Sequence, residues 1–245
     1  MQIAVMQPYI FPYLGYYQLV ASADRFIFFN DVNFIKKGWI HRNTIAVQQK
    51  PYRFTVPLQQ ASQNKAILDT LLHPVEYPRW RKKFLTTLNQ SYQESPFFNE
   101  TYALVSEVLY ASVDSIADLA ANSIITVTKH LGLNLGFTYS SDLPYHRDGD
   151  GQDKILSICQ LQQASAYVNP IGGKELYEHE AFQQNNLQLS FLQSLDITYS
   201  QSAPTFIANL SIIDVLMHCS VPEIKKLLLQ YKLITKTPTY ESSQL

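Results

Sequence analysis

The densest group of chemically active side chains lies between residues 30 and 43. It contains these charged or titratable residues: Asp31, Lys36, Lys37, His41 and Arg42. Lysine binds phosphate as a point charge and arginine as a fork. A carboxylate can serve as an acid or base or orient a ligand hydroxyl, and an exposed imidazole titrates near neutral pH. The segment predicts a site for an anionic small molecule, with Asp31, Lys36 and His41 as candidate catalytic residues.

The same segment supplies candidate substrate contacts beside its catalytic candidates. These are Lys37, Trp39, Arg42 and Asn43. The alternative is a charged loop that is only solvated, and the number of different polar groups beside an apolar run argues against it.

A second group, residues 7–16, directly follows the first apolar run and contains two prolines, which fix its path. Its candidate substrate contacts are Gln7, Tyr9, Tyr13 and Tyr16. Gly15 allows a close approach of backbone to a ligand or a neighbouring element. The alternative is a tight strand-to-helix connection in which the tyrosines only pack.

A third group runs from residue 169 to residue 177 and contains Asn169, Gly172 and Gly173. The two glycines stand between a predicted strand and a predicted helix. Backbone N–H groups at such a helix start can bind an anion. A plain turn is the alternative.

The elements that must position these groups alternate along the chain. Apolar runs at residues 2–6 and 25–29 flank a helical segment that starts within 11–21, and this β-α-β pattern is typical of a parallel sheet. Further strands are predicted at 45–48, 52–58, 135–139, 166–169 and 187–192, the first two of them forming a hairpin across residues 49–51. Helices are predicted at 74–131, 155–162 and 211–231, the last of them broken near Pro222. The pattern predicts an α/β fold with a mostly parallel open sheet, Rossmann-like, with a helical subdomain. Ligands of such sheets lie beyond the carboxyl ends of the strands, where all three groups stand.

The expected organisation has four parts. Residues 1–73 form the first part of the α/β core with the ligand site, and residues 74–133 form a helical segment or subdomain. Residues 134–234 complete the core, and residues 235–245 form a polar tail.

Composition narrows the class of protein. The 245 residues are 46% hydrophobic and 16% charged, which favours a full core over disorder. Residues 1–90 hold 11 Lys and Arg against 4 Asp and Glu, whereas residues 91–245 hold 8 against 16. The basic part suits an anionic ligand but falls short of a nucleic-acid footprint, and the alternative is that the two charge sets face each other.

Other classes are disfavoured by specific residues. Cys159 and Cys219 have no spacing that predicts a disulfide framework or a zinc site. Residues 148–153 resemble half of a calcium loop, but Cys159 stands where its bidentate Glu belongs, so we expect no metal site. Three serines, Ser62, Ser140 and Ser141, lack an evident His-Asp setting, which disfavours a serine hydrolase. No basic leader and no apolar run of membrane-spanning length is found, so we expect a cytoplasmic protein without a transmembrane segment.

Two resemblances follow from these residues. Tyr13-Leu14-Gly15-Tyr16 stands where nucleotidylyltransferases carry a His-x-Gly-His turn, but tyrosine supplies no imidazolium charge, so this is a hint about the fold. The sequence Met-Gln-Pro-Tyr-x-Phe-Pro-Tyr-x-Gly-Tyr at residues 6–16 strongly resembles the WbqC-like family. The resemblance continues at residues 31–43, 57–58, 61–65, 140–141, 167–177 and 210–214, and it adds Lys65 to the candidate substrate contacts.

Members of the WbqC-like family are often encoded near surface-polysaccharide and sugar-modification enzymes. The resemblance therefore implies a role in such a pathway, for example O-antigen biosynthesis. It suggests a transferase that moves an amino-acyl or related acyl group to an activated amino sugar, with a nucleotide sugar or acyl donor as ligand. The cofactor stays open. A non-catalytic protein that binds a sugar nucleotide, or a nucleotidylyltransferase-like enzyme, remains an alternative that the same residues would serve.

Overall fold

The computed structural model describes residues 1–235 and contains a six-stranded sheet and a separate hairpin. The strands in chain order are β1 (Gln2–Met6), β2 (Arg25–Phe28), β3 (Arg42–Val47), β4 (Lys50–Thr55), β5 (Gly136–Tyr139), β6 (Ala166–Pro170), β7 (Gln188–Ser194) and β8 (Tyr231–Ile234). The sheet order is β5-β2-β1-β6-β7-β8, and only β8 runs antiparallel to its neighbour. The predicted open, mostly parallel α/β sheet is confirmed.

The sheet has the strand order of a Rossmann-like fold. Counted within the sheet alone, its strands follow the order 3-2-1-4-5-6. The order reverses between β1 and β6, and ligands of such sheets bind in the crevice beside this point. The second and third candidate groups of the sequence, residues 7–16 and 169–177, follow β1 and β6, so both stand at the reversal.

The central strands form because their apolar residues are covered on both faces. Ile3 and Ala4 of β1 and Phe26 and Ile27 of β2 are fully buried. Continuous burial of successive residues is expected of parallel strands with helices on both sides. The sheet is therefore a rigid base for the loops at its carboxyl edge.

Among residues 1–235, eight α-helices cover the sheet and the hairpin. They are α1 (Leu14–Ser22), α2 (Glu76–Tyr92), α3 (Phe98–Tyr110), α4 (Ile116–His130), α5 (Gly151–Leu161), α6 (His179–Gln184), α7 (Ile212–His218) and α8 (Val221–Leu228). The helical segment predicted at residues 74–131 is confirmed, and it consists of α2, α3 and α4. Buried residues of these helices join those of β1, α1 and the hairpin in one continuous apolar cluster. The predicted domain boundaries stay predictions.

Several local predictions were wrong in detail. The hairpin turns at Gln48 and Gln49, both with positive φ, and β3 begins at Arg42, so Arg42 and Asn43 are strand residues. Residues 171–176 form a 3-10 helix after β6, where we expected the start of an α-helix. The helix predicted to continue to residue 231 ends at Leu228, and β8 follows it. The predicted tail lies largely outside the described residues.

Candidate functional site

A cleft with three aromatic rings in its lining lies beside the loop that follows β1. Its volume is about 340 Å³, and its lining residues are Tyr9, Pro12, Tyr13, Trp39, Asn43 and Asn209. We call it the aromatic cleft. Five of these six residues come from the groups at 7–16 and 30–43, and four of the five are candidate substrate contacts, so the fold brings the two groups together.

Tyr13 is held over the first turn of α1. It is the N-cap residue of that helix, and its ring folds back over Gly15, where an added Cβ would lie 2.5 Å from Tyr13 Cε2. Gly15 is therefore required for the position of this ring. Burial, with the neighbouring Tyr13, raises the pKa of Tyr9 to about 12, so Tyr9 is a protonated hydrogen-bond donor at neutral pH.

The loop that carries Tyr9 and Tyr13 contains a strained bend at Phe11. Phe11 is fully buried and has φ of 41°, a backbone conformation that bulky residues rarely adopt. Its N–H donates to Ser123 Oγ at 3.0 Å, and its carbonyl accepts from Asn43 Nδ2 and from Ser211 Oγ, each at 2.7 Å. Long-range hydrogen bonds on both sides of the residue hold the bend in place.

Asn43 supports the cleft and offers little to a ligand. Its side chain is buried, its Nδ2 donates to both Ile10 and Phe11 carbonyls, and its Oδ1 accepts from the Thr44 N–H. We had expected a substrate contact. Because both N–H groups and the oxygen are engaged with backbone, the structure gives Asn43 a positioning role.

Trp39 carries the exposed aromatic surface of the site, with two arginines against its ring. Its residue surface is 44% exposed, and the guanidinium carbons of Arg42 and Arg53 lie 6.0 and 5.7 Å from the ring centroid. Arg42 Nε donates to the Gly38 carbonyl at 2.8 Å, which fixes the guanidinium beside the ring. The sequence analysis did not single out Arg53. The pairing of the hairpin strands would have indicated it, because the register places Arg53 opposite Thr44, two residues after Arg42.

The remaining cations stand in or beside the same loop. Lys36 and Lys37 are exposed. Phe34 N–H donates to the Lys65 carbonyl at 2.8 Å, and this hydrogen bond places the Lys65 segment alongside the loop. The loop thus combines several positive charges with the Trp39 ring, an arrangement suited to an anionic ligand that carries a planar or cyclic group.

His41 does not add to this positive charge at neutral pH. Burial, with the adjacent Arg42, lowers the pKa of His41 from its usual 6.5 to about 4. Its ring packs against Phe34 at 5.2 Å between centroids. The imidazole is therefore neutral, and a catalytic role for it, which stays a prediction, would be that of an uncharged base or hydrogen-bond partner.

Asp31 anchors the loop after β5 to the end of β2. Its carboxylate accepts hydrogen bonds from Ser140 Oγ, from Tyr145 Oη at 3.0 Å and from Arg147 Nε at 3.0 Å. Arg147 also lies over the Tyr145 ring at 4.4 Å and donates to the carbonyls of Ser140, Ser141, Leu143 and Tyr145. The sequence reading missed Tyr145 and Arg147. With both oxygens engaged, Asp31 positions this loop, and its role as acid or base stays a prediction.

Gln7 and Tyr16 are linked to each other within the core. Tyr16 Oη donates to the Gln7 carbonyl at 2.8 Å, and Tyr16 is only 2% exposed. Its ring packs against Tyr9 with 5.6 Å between centroids. We had expected Tyr16 to touch a substrate. Its burial makes it a support for Tyr9 instead, while the half-buried side chain of Gln7 stays a candidate contact.

The third predicted group forms its own small cluster at the end of β6. Asn169 is buried and its Oδ1 accepts from Tyr167 Oη at 3.1 Å. A Cβ at Gly173 would collide with Asn169 Nδ2, whereas Gly172 meets no neighbour within 4 Å. Gly173 therefore serves close packing. The element that follows is a 3-10 helix, so the α-helix start that we expected as an anion site is not formed.

Two further observations concern metals and membranes. Within residues 1–235, no group of three His, Cys, Asp or Glu side chains is arranged to hold a metal ion. The Asp148–Asp153 segment contains a helix cap, since Asp150 and Asp153 form the capping box of α5. None of the described helices has the length and apolar character needed to cross a membrane.

The fold and the cleft define a Rossmann-like α/β protein with an aromatic, cation-flanked cleft beside the reversal point of its sheet. The chain belongs to the WbqC-like protein family, whose model matches residues 7–226. It is similar to a Mycobacterium tuberculosis protein described as "Uncharacterized protein Rv1507c", with 23% identity over 193 residues, 78% of this chain and 81% of the relative. No solved structure matches the chain.

Proposed function

We propose that this protein is a transferase that binds an anionic activated amino sugar, such as a nucleotide sugar, in the aromatic cleft and takes part in acyl or amino-acyl transfer to it. The supporting observation is the Trp39 ring, half exposed and accompanied by Arg42 and Arg53. WbqC-like membership supports the sugar class only through the resemblance described above. We place the protein in the cytoplasm as part of the same proposal.

The lining of the aromatic cleft suits the two halves of such a ligand. Aromatic faces pack against the apolar face of a sugar or base, and tyrosine hydroxyls hydrogen-bond to ligand oxygens. The guanidinium groups and the exposed Lys36 and Lys37 match phosphate oxygens. The volume of about 340 Å³ is at the small end of ligand sites, so we assign the cleft to one sugar or base ring with the phosphates along the cationic rim.

A non-catalytic binding protein is the second candidate, and one observation favours it. Asp31 already accepts from three side chains, and His41 is held neutral, so neither is a free, charged group beside the cleft. A nucleotidylyltransferase-like activity is less well supported. Tyr16, which stands at the second histidine position of that motif, is buried and cannot reach a triphosphate.

Titration calorimetry with uridine-diphosphate amino sugars tests the ligand class. We expect binding to the wild type and affinity about tenfold weaker or worse for Trp39→Ala and for Arg53→Ala. The matched control is Arg79→Ala, because Arg79 is an exposed arginine paired with Glu76 on the helical segment. Equal affinities in all four proteins would reject the cleft as the binding site.

A product assay separates transfer from binding. The protein, the bound sugar and an acyl thioester or amino-acyl donor are incubated, and the sugar is analysed by mass spectrometry. Acylated sugar supports a transferase. Tight binding without acylated product for any donor class would instead support a non-catalytic binding protein.

A further inference from the structure

A serine and a histidine line a second cleft, which shares no lining residue with the aromatic cleft, and a buried aspartate lies beside the histidine. Its volume is about 310 Å³, and it lies between the hairpin turn, α2 and the loop before α7. Ser202 is exposed at its edge, and Ser202 Oγ lies 2.8 Å from His218 Nε2. We name it the Ser202 cleft.

The hydrogen-bond geometry fixes the protonation of His218. The Ser202 backbone N–H, which can only donate, points at His218 Nε2 at 3.3 Å, so Nε2 carries no proton. The proton of the neutral ring is then on Nδ1, which lies 2.8 Å from the Asp214 carbonyl oxygen, a pure acceptor. Ser202 Oγ must therefore donate its own proton toward Nε2. This is the tautomer that a general base for a serine nucleophile needs.

Asp214 places a carboxylate beside this imidazole. Its Oδ2 lies 3.8 Å from His218 Nδ1, and its side chain is 1% exposed. Tyr92, Tyr199 and Gln201 donate to its oxygens at 2.7–3.0 Å. Burial, with the nearby carboxylate, raises the pKa of Tyr92 and of Tyr199, so both phenols remain donors. The carboxylate can stabilise the imidazolium that forms when Nε2 accepts the serine proton.

The rest of the Ser202 cleft indicates the kind of substrate. Its polar lining comes from the uncharged side chains of Gln48, Gln49, Thr87, Gln90 and Ser91. Among the described residues no Lys, Arg, Asp or Glu lines it. Such a surface suits a neutral, hydroxyl-rich molecule. Ala203 follows the serine and also lines the cleft, and within residues 1–235 its N–H donates to no protein acceptor, which leaves it available to an oxyanion.

We propose that Ser202 is a nucleophile, with His218 as its base and Asp214 as a positioning residue, that cleaves acyl esters of neutral, hydroxyl-rich compounds. Ser202 Oγ attacks the ester carbon while its proton moves to His218 Nε2. The bond to the leaving alcohol then breaks, and the alcohol takes that proton. Water, deprotonated by Nε2, then attacks the acyl-serine carbonyl carbon. The bond from that carbon to Ser202 Oγ breaks, Oγ takes the proton back from Nε2, and the carboxylic acid leaves. The inference is independent of the proposed function at the aromatic cleft.

Covalent labelling tests this assignment directly. A fluorophosphonate probe is added to the wild type, and the adduct is located by peptide mass spectrometry. We expect an adduct on Ser202, none at that position in Ser202→Ala, and labelling at least about a hundredfold slower in His218→Asn. Ser200→Ala is the matched control, since Ser200 is an exposed serine of the same loop, and its labelling should equal that of the wild type.

Two readouts keep the test decisive if His218→Asn folds poorly. Native wild type should label Ser202 selectively over Ser200 and Ser194, and urea-unfolded wild type should lose this selectivity. p-Nitrophenyl acetate should give an acetyl-Ser202 peptide. Absence of any adduct on native Ser202, or equal labelling of the three serines, would overturn the proposal, because a serine that only anchors its loop has no enhanced reactivity.

Discussion

Asn43 Nδ2 lies 2.7 Å from the carbonyl oxygen of Phe11, and this contact couples the hairpin to the loop that follows the first strand. Phe11 has a positive φ and a buried ring, so its bend persists only because hydrogen bonds from distant residues hold it. The aromatic cleft is thus built on a strained loop that a strand of another element fixes in place.

Asn43→Ala should destabilise the protein by about 2–4 kcal/mol, because the buried carbonyls of Ile10 and Phe11 lose a donor. Chemical denaturation monitored by tryptophan fluorescence measures this change. Asn64→Ala is the control, since Asn64 is an exposed asparagine whose φ is not positive. A loss below half a kcal/mol in Asn43→Ala would contradict the supporting role.

Gly15→Ala should displace the Tyr13 ring, because the new Cβ would lie 2.5 Å from Tyr13 Cε2. We expect sugar-nucleotide affinity to fall roughly three- to tenfold, in line with the loss of one aromatic contact. Tyr13→Ala should give a similar loss, and the double variant should be no weaker than Tyr13→Ala alone. Fully additive losses in titration calorimetry would show that Gly15 acts through something other than Tyr13.

Changing Lys36 and Lys37 to alanine together should weaken an anionic ligand by roughly three- to tenfold and flatten the salt dependence of its binding, since exposed charges are screened by salt. Affinities measured over a series of sodium chloride concentrations check both effects. Lys82→Ala with Lys83→Ala, on exposed positions of α2, is the control pair. An unchanged salt slope in the Lys36, Lys37 variant would remove these lysines from the site.

Asp31→Asn should destabilise the protein by about 1–3 kcal/mol, because an amide cannot accept from all three donors that the carboxylate binds. Arg147→Ala should remove part of the same interaction, so the double variant should lose less than the sum of the single losses. Equilibrium unfolding of the four proteins completes the cycle. Once a turnover assay exists, full loss of turnover in Asp31→Asn with ligand affinity within a few-fold would establish the acid or base role that stays a prediction here.

Acidification should destabilise the fold through His41. Its pKa is about 4 in the folded protein and 6.5 for an ordinary histidine, so the unfolded chain binds the extra proton between these values. The free energy of unfolding should therefore fall as pH decreases from about 6.5 toward 4, and the contribution should be absent above that window. His41→Gln should reduce this slope relative to the wild type. Equal slopes in the two proteins would contradict the assignment.

The sheet and its ligand edge could be predicted from the sequence because they depend on local patterns. Apolar runs give β1 and β2, and the polar residues that follow them must lie at the carboxyl edge of a parallel sheet. The edge strand β8 was missed, because its four residues follow a helix directly and half of them are exposed. Its pairing with β7 is what makes this short run a strand.

The roles of individual side chains could not be predicted, because they depend on partners far along the chain. Arg147 reaches Asp31 across 116 positions, and Ser123 reaches Phe11 across 112. A spacing pattern contains no information on such pairs. The Ser202 cleft was missed for the same reason, since its base, its nucleophile and the glutamines of its lining meet only in the folded chain.

The connection between β2 and β5 has a consequence for how this architecture can diversify. It runs through residues 29–135 and includes the hairpin and the three helices α2, α3 and α4, while the two strands that it joins are direct neighbours in the sheet. It also supplies Trp39, Arg42 and Arg53. Substitutions within this one connection can therefore change the lining of the aromatic cleft while the strand order stays intact, which makes the connection a suitable segment to exchange between WbqC-like relatives.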